Sequence, residues 1–342
     1  MLEALHELYP EAPVFTLVYD KHLADQFEGW TIVSSPLQFL YKLVPRFQLM
    51  LPFIPLALKA FDFSEFDVVI SSSSIFAKNI SVPKRVLHIN YCHTPARFLW
   101  DGSESYIHEE VPAVLRPLVR KYLNWMRKWD YKASQRVDFF VANSKNIQNK
   151  IKQHYNRDSV IIHPYVDLDK FYPTVPKENY FVAAGRLQPH KKIGLVVKVF
   201  NELGLPLHVI GTGRDLPYLK SIAKDNIDFL GRVDDRILCD EYSGAKAFIY
   251  PQEEDFGMMP LEAAAAGTPT IAYGKGGALE TVVGAKTGIF FEHQTEQELK
   301  DAVIKIQHMH FGSEELFEQA EKFSKEKFKQ QVKEFVQKCA SR

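Results

Sequence analysis

Apolar residues recur along this chain at two periods, and the two periods alternate. Short apolar runs read as strands at 14–18, 30–33, 68–70, 86–90 and 139–142, and again at 180–184, 207–210, 227–230, 247–250 and 270–273. Between them apolar residues return every three or four positions, the spacing of helices with one buried face. Strand and helix in turn predict an α/β protein with doubly wound sheets. The 342 residues suffice for two such domains. A proline- and turn-rich stretch, 163–176, separates the two sets of strands, and 166–176 is read as the hinge. Domains are therefore expected at 1–165 and 177–326, followed by a terminal helix at 327–342.

Composition narrows the partners. Forty-two basic and 42 acidic residues cancel, so the net charge gives no footing for nucleic acid. Three cysteines, far apart and odd in number, form neither a metal spacing nor a disulfide framework, as suits a reducing cytoplasm. The first residues, Met-Leu-Glu-Ala-Leu-His-Glu-Leu, put no basic segment ahead of an apolar one and so do not read as a secretory leader. The most apolar stretch, 49–61, contains Pro52, Pro55 and Lys59 and is too short to span a bilayer.

Candidate chemistry gathers in the second half. Glu254 follows the strand at 247–250, and Glu262 is the only acidic or basic residue between Gly257 and Lys275. A carboxylate buried in such a run without a partner costs several kcal/mol, so water, a protein donor or ligand hydroxyls must satisfy it. Pro260 suits the first turn of a helix and Gly267 its end, which puts Glu262 in the first turn. Loops at the carboxyl ends of strands are where open α/β sheets bind ligands. Two more such loops stand out. Gly185, Arg186 and Lys191 follow the strand at 180–184, and Gly274-Lys-Gly-Gly277 follows the strand at 270–273, where glycines admit backbone amides to a phosphate. Gly211-Thr-Gly213 has Leu216 in place of the third glycine of a dinucleotide fingerprint, which argues against a nicotinamide or flavin enzyme.

Three motifs together resemble the nucleotide-sugar signature of glycosyltransferase family 4. They are Glu-Asp-Phe-Gly-Met-Met-Pro-Leu-Glu at 254–262, Gly276-Gly277-x-x-Glu280, and Gly185-Arg186-Leu187-x-x-x-Lys191. The family wording has Gly at Asp255 and often Leu-Pro at Met258-Met259. The resemblance, which runs over nearly the whole chain, implies a GT-B fold, two Rossmann-like domains facing a cleft, and a retaining transferase. It implies that Arg186 and Lys191 neutralise the donor diphosphate in place of a metal or cofactor. Glu254 and the amides of Phe256, Gly257 and Met258 would hold sugar hydroxyls and Glu262 the ribose, with Gly185, Gly276 and Gly277 also among the donor-binding residues. The run 229–233, with Arg232 and Val233, resembles the segment that lies against the base. Relatives begin with a strand and a Gly-Gly-Ala-Glu-type loop, whereas residues 2–8 here already read as a helix, so the first domain is expected to lack its first strand.

In the first half, Tyr91-Cys-His-Thr-Pro-Ala-Arg-Phe-Leu-Trp-Asp101 resembles a bacterial subgroup that includes GDP-mannose-dependent mannosyltransferases of lipopolysaccharide and capsule assembly. His93 there matches a position facing the donor sugar. Mannose from GDP-mannose, passed to a glycan or lipid-linked acceptor, is the specific expectation. A UDP-sugar transferase, a non-hydrolysing sugar-nucleotide epimerase and a nucleotide-binding remnant without activity stay open. The basic, aromatic run 115–136 suits either a peripheral contact on the inner face of a membrane or a core-packed helix with its basic residues in water.

Overall fold

The computed structural model describes residues 1–20, 27–43 and 47–341. Arg342, the last residue of the terminal-helix range, lies outside them. The chain forms two compact units. Unit 1 holds Met1–Asn143, Ile147–Ile162 and the chain from Lys329 onward; unit 2 holds Ser144–Asn146 and His163–Phe328.

Unit 1 contains α1 (Leu2–Leu8), β1 (Val14–Thr16), β2 (Ile32–Ser34), α2 (Leu37–Leu43), α3 (Ile54–Ala57), β3 (Val68–Ser73), β4 (Leu87–Cys92), α4 (Ser103–Glu110), α5 (Arg116–Ser134), β5 (Phe139–Ala142), all but the first two residues of α6 (Lys145–Tyr155), and β6 (Ser159–Ile161). Its strands make two parallel sheets, β1-β2 and β3-β4-β5-β6. Strand β4 is buried along most of its length, and Asn90 within it is satisfied by the Ser71 carbonyl at 3.0 Å and the Ser73 hydroxyl at 3.0 Å. Helix α5 opens with Pro117 in its first turn, where no amide partner is lost. Its buried residues, Leu123, Met126, Asp130 and Ala133, recur every three or four positions, and the first two join Met50, Ile54 and Leu58 in one core.

Unit 2 contains β7 (Phe181–Ala184), α7 (Ile193–Leu203), β8 (Leu207–Ile210), α8 (Leu216–Ile222), β9 (Ile227–Gly231), α9 (Asp235–Gly244), β10 (Phe248–Tyr250), α10 (Met258–Ala265), β11 (Thr270–Tyr273), α11 (Ala278–Thr281), β12 (Gly288–Phe291), α12 (Glu296–Ile306) and α13 (Ser313–Glu321). The last helix, α14 (Lys325–Ala340), carries the chain into unit 1 at Lys329. One parallel sheet of order β12-β11-β10-β7-β8-β9 runs through unit 2. Alternate residues of β7 feed two cores, Val182 and Ala184 on one face and Phe181 and Ala183 on the other. The order of the strands reverses between β7 and β10, so the carboxyl ends of those two strands flank the switch point where such sheets bind ligands.

All ten expected strands are present, those at 139–142, 207–210 and 270–273 with the expected ends and the other seven with shifted ends, and two more form. Strand β6 is three residues long at a sheet edge, too short to register as a period. Strand β12 starts on Gly288, which reads as a turn former, yet a Cβ there would stand 2.1 Å from the Thr270 carbonyl oxygen. Close strand approach, not a turn, requires that glycine. The proline-rich stretch after His163 is part of unit 2, where Phe171 is buried in the core and Val166 bridges to Ser324.

Candidate functional site

The loop after β7 begins at Gly185, whose φ of +133° disfavours any side chain. It is locked to the loop after β8 through backbone contacts. The Leu187 amide donates to the Thr212 carbonyl at 2.9 Å, and Cβ atoms at Gly211 and Gly213 would fall 1.9 and 2.2 Å from the carbonyl oxygens of Gly185 and Leu187. Gly211-Thr-Gly213 therefore holds the neighbouring loop in place. Beyond this lock, Arg186 is exposed and Lys191 partly buried.

The loop after β10 is built the same way against the loop after β11. The Gly277 amide donates to the Glu254 carbonyl at 2.8 Å, and Cβ atoms at Gly276 and Gly277 would stand 2.3 Å from the Glu254 and 2.0 Å from the Phe256 carbonyl oxygens. Gly257, at φ +89°, turns the chain directly into α10. The helix thus begins at Met258, and Glu262 lies in its second turn rather than the first. Pro260 does not prevent the earlier start, because the first four amides of a helix have no intrahelical acceptor.

The structure brings together most of the residues singled out from sequence. Lys191 Nζ forms an ion pair with Glu254 Oε1, joining the loops on the two sides of the switch point. A Cβ at Gly185 would lie 3.8 Å from the Met259 sulfur, so the same loops also touch behind the pair. Phe256 is buried and stacks on His163 at 5.2 Å, and His163 Nδ1 lies 3.9 Å from Glu280 Oε2.

Glu262 differs from every other acid of this crest. Its carboxyl makes no hydrogen bond or ion pair among the described residues, and burial, with a smaller contribution from the charge of Asp235, pushes its pKa up to about 7. The Tyr242 hydroxyl, buried and without a hydrogen-bond partner among the described residues, feels the charge of Glu262. Arg232 is exposed and Val233 is packed on the core, on the loop between β9 and α9, where residues 232–236 line a shallow depression. Asp234 is committed to capping α9, accepting from the Ile237 amide at 2.9 Å. Sequence spacing missed Asp235, the Lys191–Glu254 pairing and the locking role of Gly211 and Gly213, because each is a contact between separate strand ends.

His93 sits in unit 1 just beyond β4. Its amide donates to Ser73 O at 2.8 Å, and its Nε2 lies 2.9 Å from Ser72 Oγ. Burial pulls its pKa down to about 4, so the imidazole is neutral at physiological pH. Further along that loop Trp100 and Asp101 are held internally. The Trp100 indole donates to Asp130 Oδ2 at 3.0 Å, and Asp101 Oδ1 lies 2.7 Å from His154 Nε2. Among the described residues no three His, Cys, Asp or Glu side chains gather as a metal site, and no helix is long and apolar enough to cross a membrane.

Residues 167–330 match the family model for Glycosyl transferases group 1, and residues 1–170 match that for Glycosyltransferase Family 4. A D-inositol 3-phosphate glycosyltransferase of Geodermatophilus obscurus is 28% identical over 204 residues, covering 50% of this chain and 45% of that protein. The O-antigen chain mannosyltransferase RfbU of Salmonella typhimurium is 32% identical over 162 residues, covering 44% of this chain and 45% of that protein. The matches thus span about half the length of these curated relatives. Among solved structures, Anabaena HepE in complex with UDP and glucose superposes with a TM-score of 0.66 at 16% identity, over 98% of this chain and 94% of that one. Sucrose-phosphate synthase of Thermosynechococcus elongatus gives 0.69 at 19% identity, over 91% and 83%.

Proposed function

Because the chain belongs to glycosyltransferase family 4, group 1, and has the GT-B fold of two Rossmann-like domains, we propose that it transfers a hexose from a nucleotide sugar to a glycan or lipid-linked acceptor in cell-surface polysaccharide or glycolipid assembly. One observation carries the reading: Glu262, a carboxylate without a partner among the described residues and with its pKa raised by burial, lies on α10, the helix that follows the loop carrying Glu254 of the Glu254–Lys191 pair. Glu262 is only partly exposed, and ribose hydroxyls would satisfy such a group.

In this reading Glu262 accepts hydrogen bonds from the ribose, and the diphosphate lies along the loops of Gly185, Gly276 and Gly277, whose missing side chains let those loops pack closely against their neighbours. Arg186 and Lys191 take up the charge that grows on the diphosphate as the bond from the anomeric carbon to its phosphate oxygen breaks. Glu254, released from Lys191, and the amides from Phe256 to Met258 hold the sugar, while neutral His93 exchanges hydrogen bonds with it. The acceptor oxygen bonds to the anomeric carbon on the face the diphosphate leaves. Its proton passes to a phosphate oxygen of the leaving group, so configuration is retained without a separate protein base or a metal.

For the donor we favour GDP-mannose. RfbU, and a GDP-mannose-dependent mannosyltransferase of Corynebacterium glutamicum 28% identical over 171 residues, support it. A UDP sugar is the second reading, supported by the UDP in the HepE complex. Calorimetry on the full chain separates them. GDP binds more tightly if the first is right; UDP preferred tenfold, about 1.4 kcal/mol, discards mannose from GDP-mannose and leaves the transferase. Transfer should also survive EDTA. Activity abolished by chelation and restored by magnesium would overturn the roles given to Arg186 and Lys191.

A further inference from the structure

We propose that the outer face of α5 is a docking surface for an anionic lipid bilayer. Val114, Leu118, Lys121, Trp125, Lys128 and Lys132 follow one another at intervals of four and three, so they form one stripe along the helix and the turn before it. All six are exposed, Val114 at 90%, Leu118 at 66% and Trp125 at 50%. The opposite stripe, with Leu123 and Met126, is packed in the core, so burying α5 in the fold has already used its other face. This excludes the core-packed reading for the outer residues.

Charge decides the occupant. The other cations of α5 are engaged: Arg120 with Glu104 at 2.7 Å, Arg127 with the Leu99 carbonyl at 2.7 Å, Arg116 with the His108 carbonyl at 3.1 Å. The helix has one acid, Asp130, and it is buried against Lys78. Lys121, Lys128 and Lys132 have no ion pair or hydrogen bond among the described residues. Three uncompensated lysines alternating with large apolar side chains match a surface that is negative at its headgroups and apolar a few ångströms below. A protein partner of ordinary composition leaves those lysines desolvated and unpaired. A soluble polyanion offers nothing to Val114, Leu118 and Trp125. The whole chain is neutral, with 42 charges of each sign, so the attraction is local to this face. A tryptophan among lysines at that depth is also the side chain that interfaces favour.

The test is sedimentation of the full chain with vesicles of phosphatidylcholine alone or with one quarter phosphatidylglycerol, at low and high salt. Binding is expected to the anionic vesicles only, and to weaken with salt. Each Lys→Ala change at 121, 128 or 132 should lower partitioning about fivefold, and the three together roughly a hundredfold. Leu118→Ser with Trp125→Ser should abolish binding, and the blue shift of tryptophan emission on vesicles should vanish in Trp125→Phe. Nucleotide diphosphate affinity, read in parallel, stays unchanged in each variant and shows that it is folded; it also keeps this proposal separate from the donor reading. Equal binding to neutral vesicles overturns the proposal. So does a triple lysine variant that binds like the parent, tighter binding to heparin than to vesicles, or self-association that shields Trp125 without lipid.

Discussion

The two units treat buried polar groups in opposite ways. In unit 1, Asp130 is wholly buried and fully occupied: Lys78 pairs with it, the Trp100 indole donates to it at 3.0 Å and the Tyr155 hydroxyl at 2.8 Å. In unit 2, Glu262 is desolvated with nothing to accept from, and Lys191 and Glu254 have mainly each other at a partly exposed crest. A satisfied network specifies and stiffens a fold, whereas an unsatisfied one stores an interaction for a ligand. The sheets differ likewise, since six strands run continuously through unit 2 while those of unit 1 form a pair and a group of four. Polar inventory alone, read from sequence, does not separate these cases; the partners do.

The sharpest way to break the comparison is to remove Asp130. Asp130→Ala leaves the Lys78 ammonium buried and unpaired, which should lower unfolding free energy by about 3–5 kcal/mol. Denaturant melts measure this, and Lys78→Met with Asp130→Leu should recover much of the loss. Nucleotide affinity of the protein still folded should hardly change. If affinity falls in step with stability, Asp130 is no purely structural group.

In unit 2 the expected order is reversed. Arg186→Ala or Lys191→Ala should reduce turnover about a hundredfold or more, near 3 kcal/mol, with small effects on melting. Arg186 is exposed and costs the fold little, and the Lys191–Glu254 pair is partly exposed, where solvent screens it. A melting shift as large as that of Asp130→Ala would mean the Lys191–Glu254 pair is a structural clamp.

How far the sequence carries follows the same division. Period and punctuation placed ten strands, because a parallel sheet buried on both faces needs apolar runs such as Phe181–Ala184. At the crest of unit 2 the sequence marks Gly257, Gly276 and Gly277, but it reads the last two as admitting a phosphate, whereas the structure needs them bare so that they can approach the carbonyls of Glu254 and Phe256. Pairings between distant segments were not legible. Nothing in the spacing brings Asp235 near Glu262 or Trp100 onto Asp130, and both depend on how strands and helices order themselves in space. Glu262 itself falls one turn later in its helix than Pro260 suggested, since Gly257 starts the helix at once.

Glu262 offers a milder test of the open site. Its pKa of about 7 without ligand means a small ionised fraction, roughly one tenth, at pH 6 and about nine tenths at pH 8. Only the carboxylate accepts from both ribose hydroxyls. Nucleotide diphosphate affinity should therefore rise about tenfold between those values, some 1.4 kcal/mol, beyond the change set by the phosphates. Glu262→Gln supplies that control and should show only the latter. Parallel curves for parent and variant would mean that the ribose lies elsewhere.

The smallest effect concerns histidines, and again the units point opposite ways. His88 in β4 is buried and bonded to Ser71 Oγ at 2.8 Å, and burial depresses its pKa to about 4. His208 in β8 is raised instead, first by its hydrogen bond to Glu241 Oε2 at 2.7 Å and then by the charges of Glu241, Asp228 and Glu178, against some loss from burial. A raised basic group binds its proton more tightly when folded. Its stabilisation is complete below the unfolded pKa, about 6.5, and is lost as pH rises through the higher folded value. For the depressed His88 the sign inverts, and the fold weakens as pH falls from about 6.5 toward 4. His208→Gln should thus remove less than about 1 kcal/mol at pH 6, since solvent screens a partly exposed pair, and almost nothing at pH 9. His88→Gln should instead flatten the loss of stability on the acid side. Melting curves at pH 5, 6 and 9 distinguish the two, and a His208 variant more costly at pH 9 than at pH 6 would reverse the assignment of its charge.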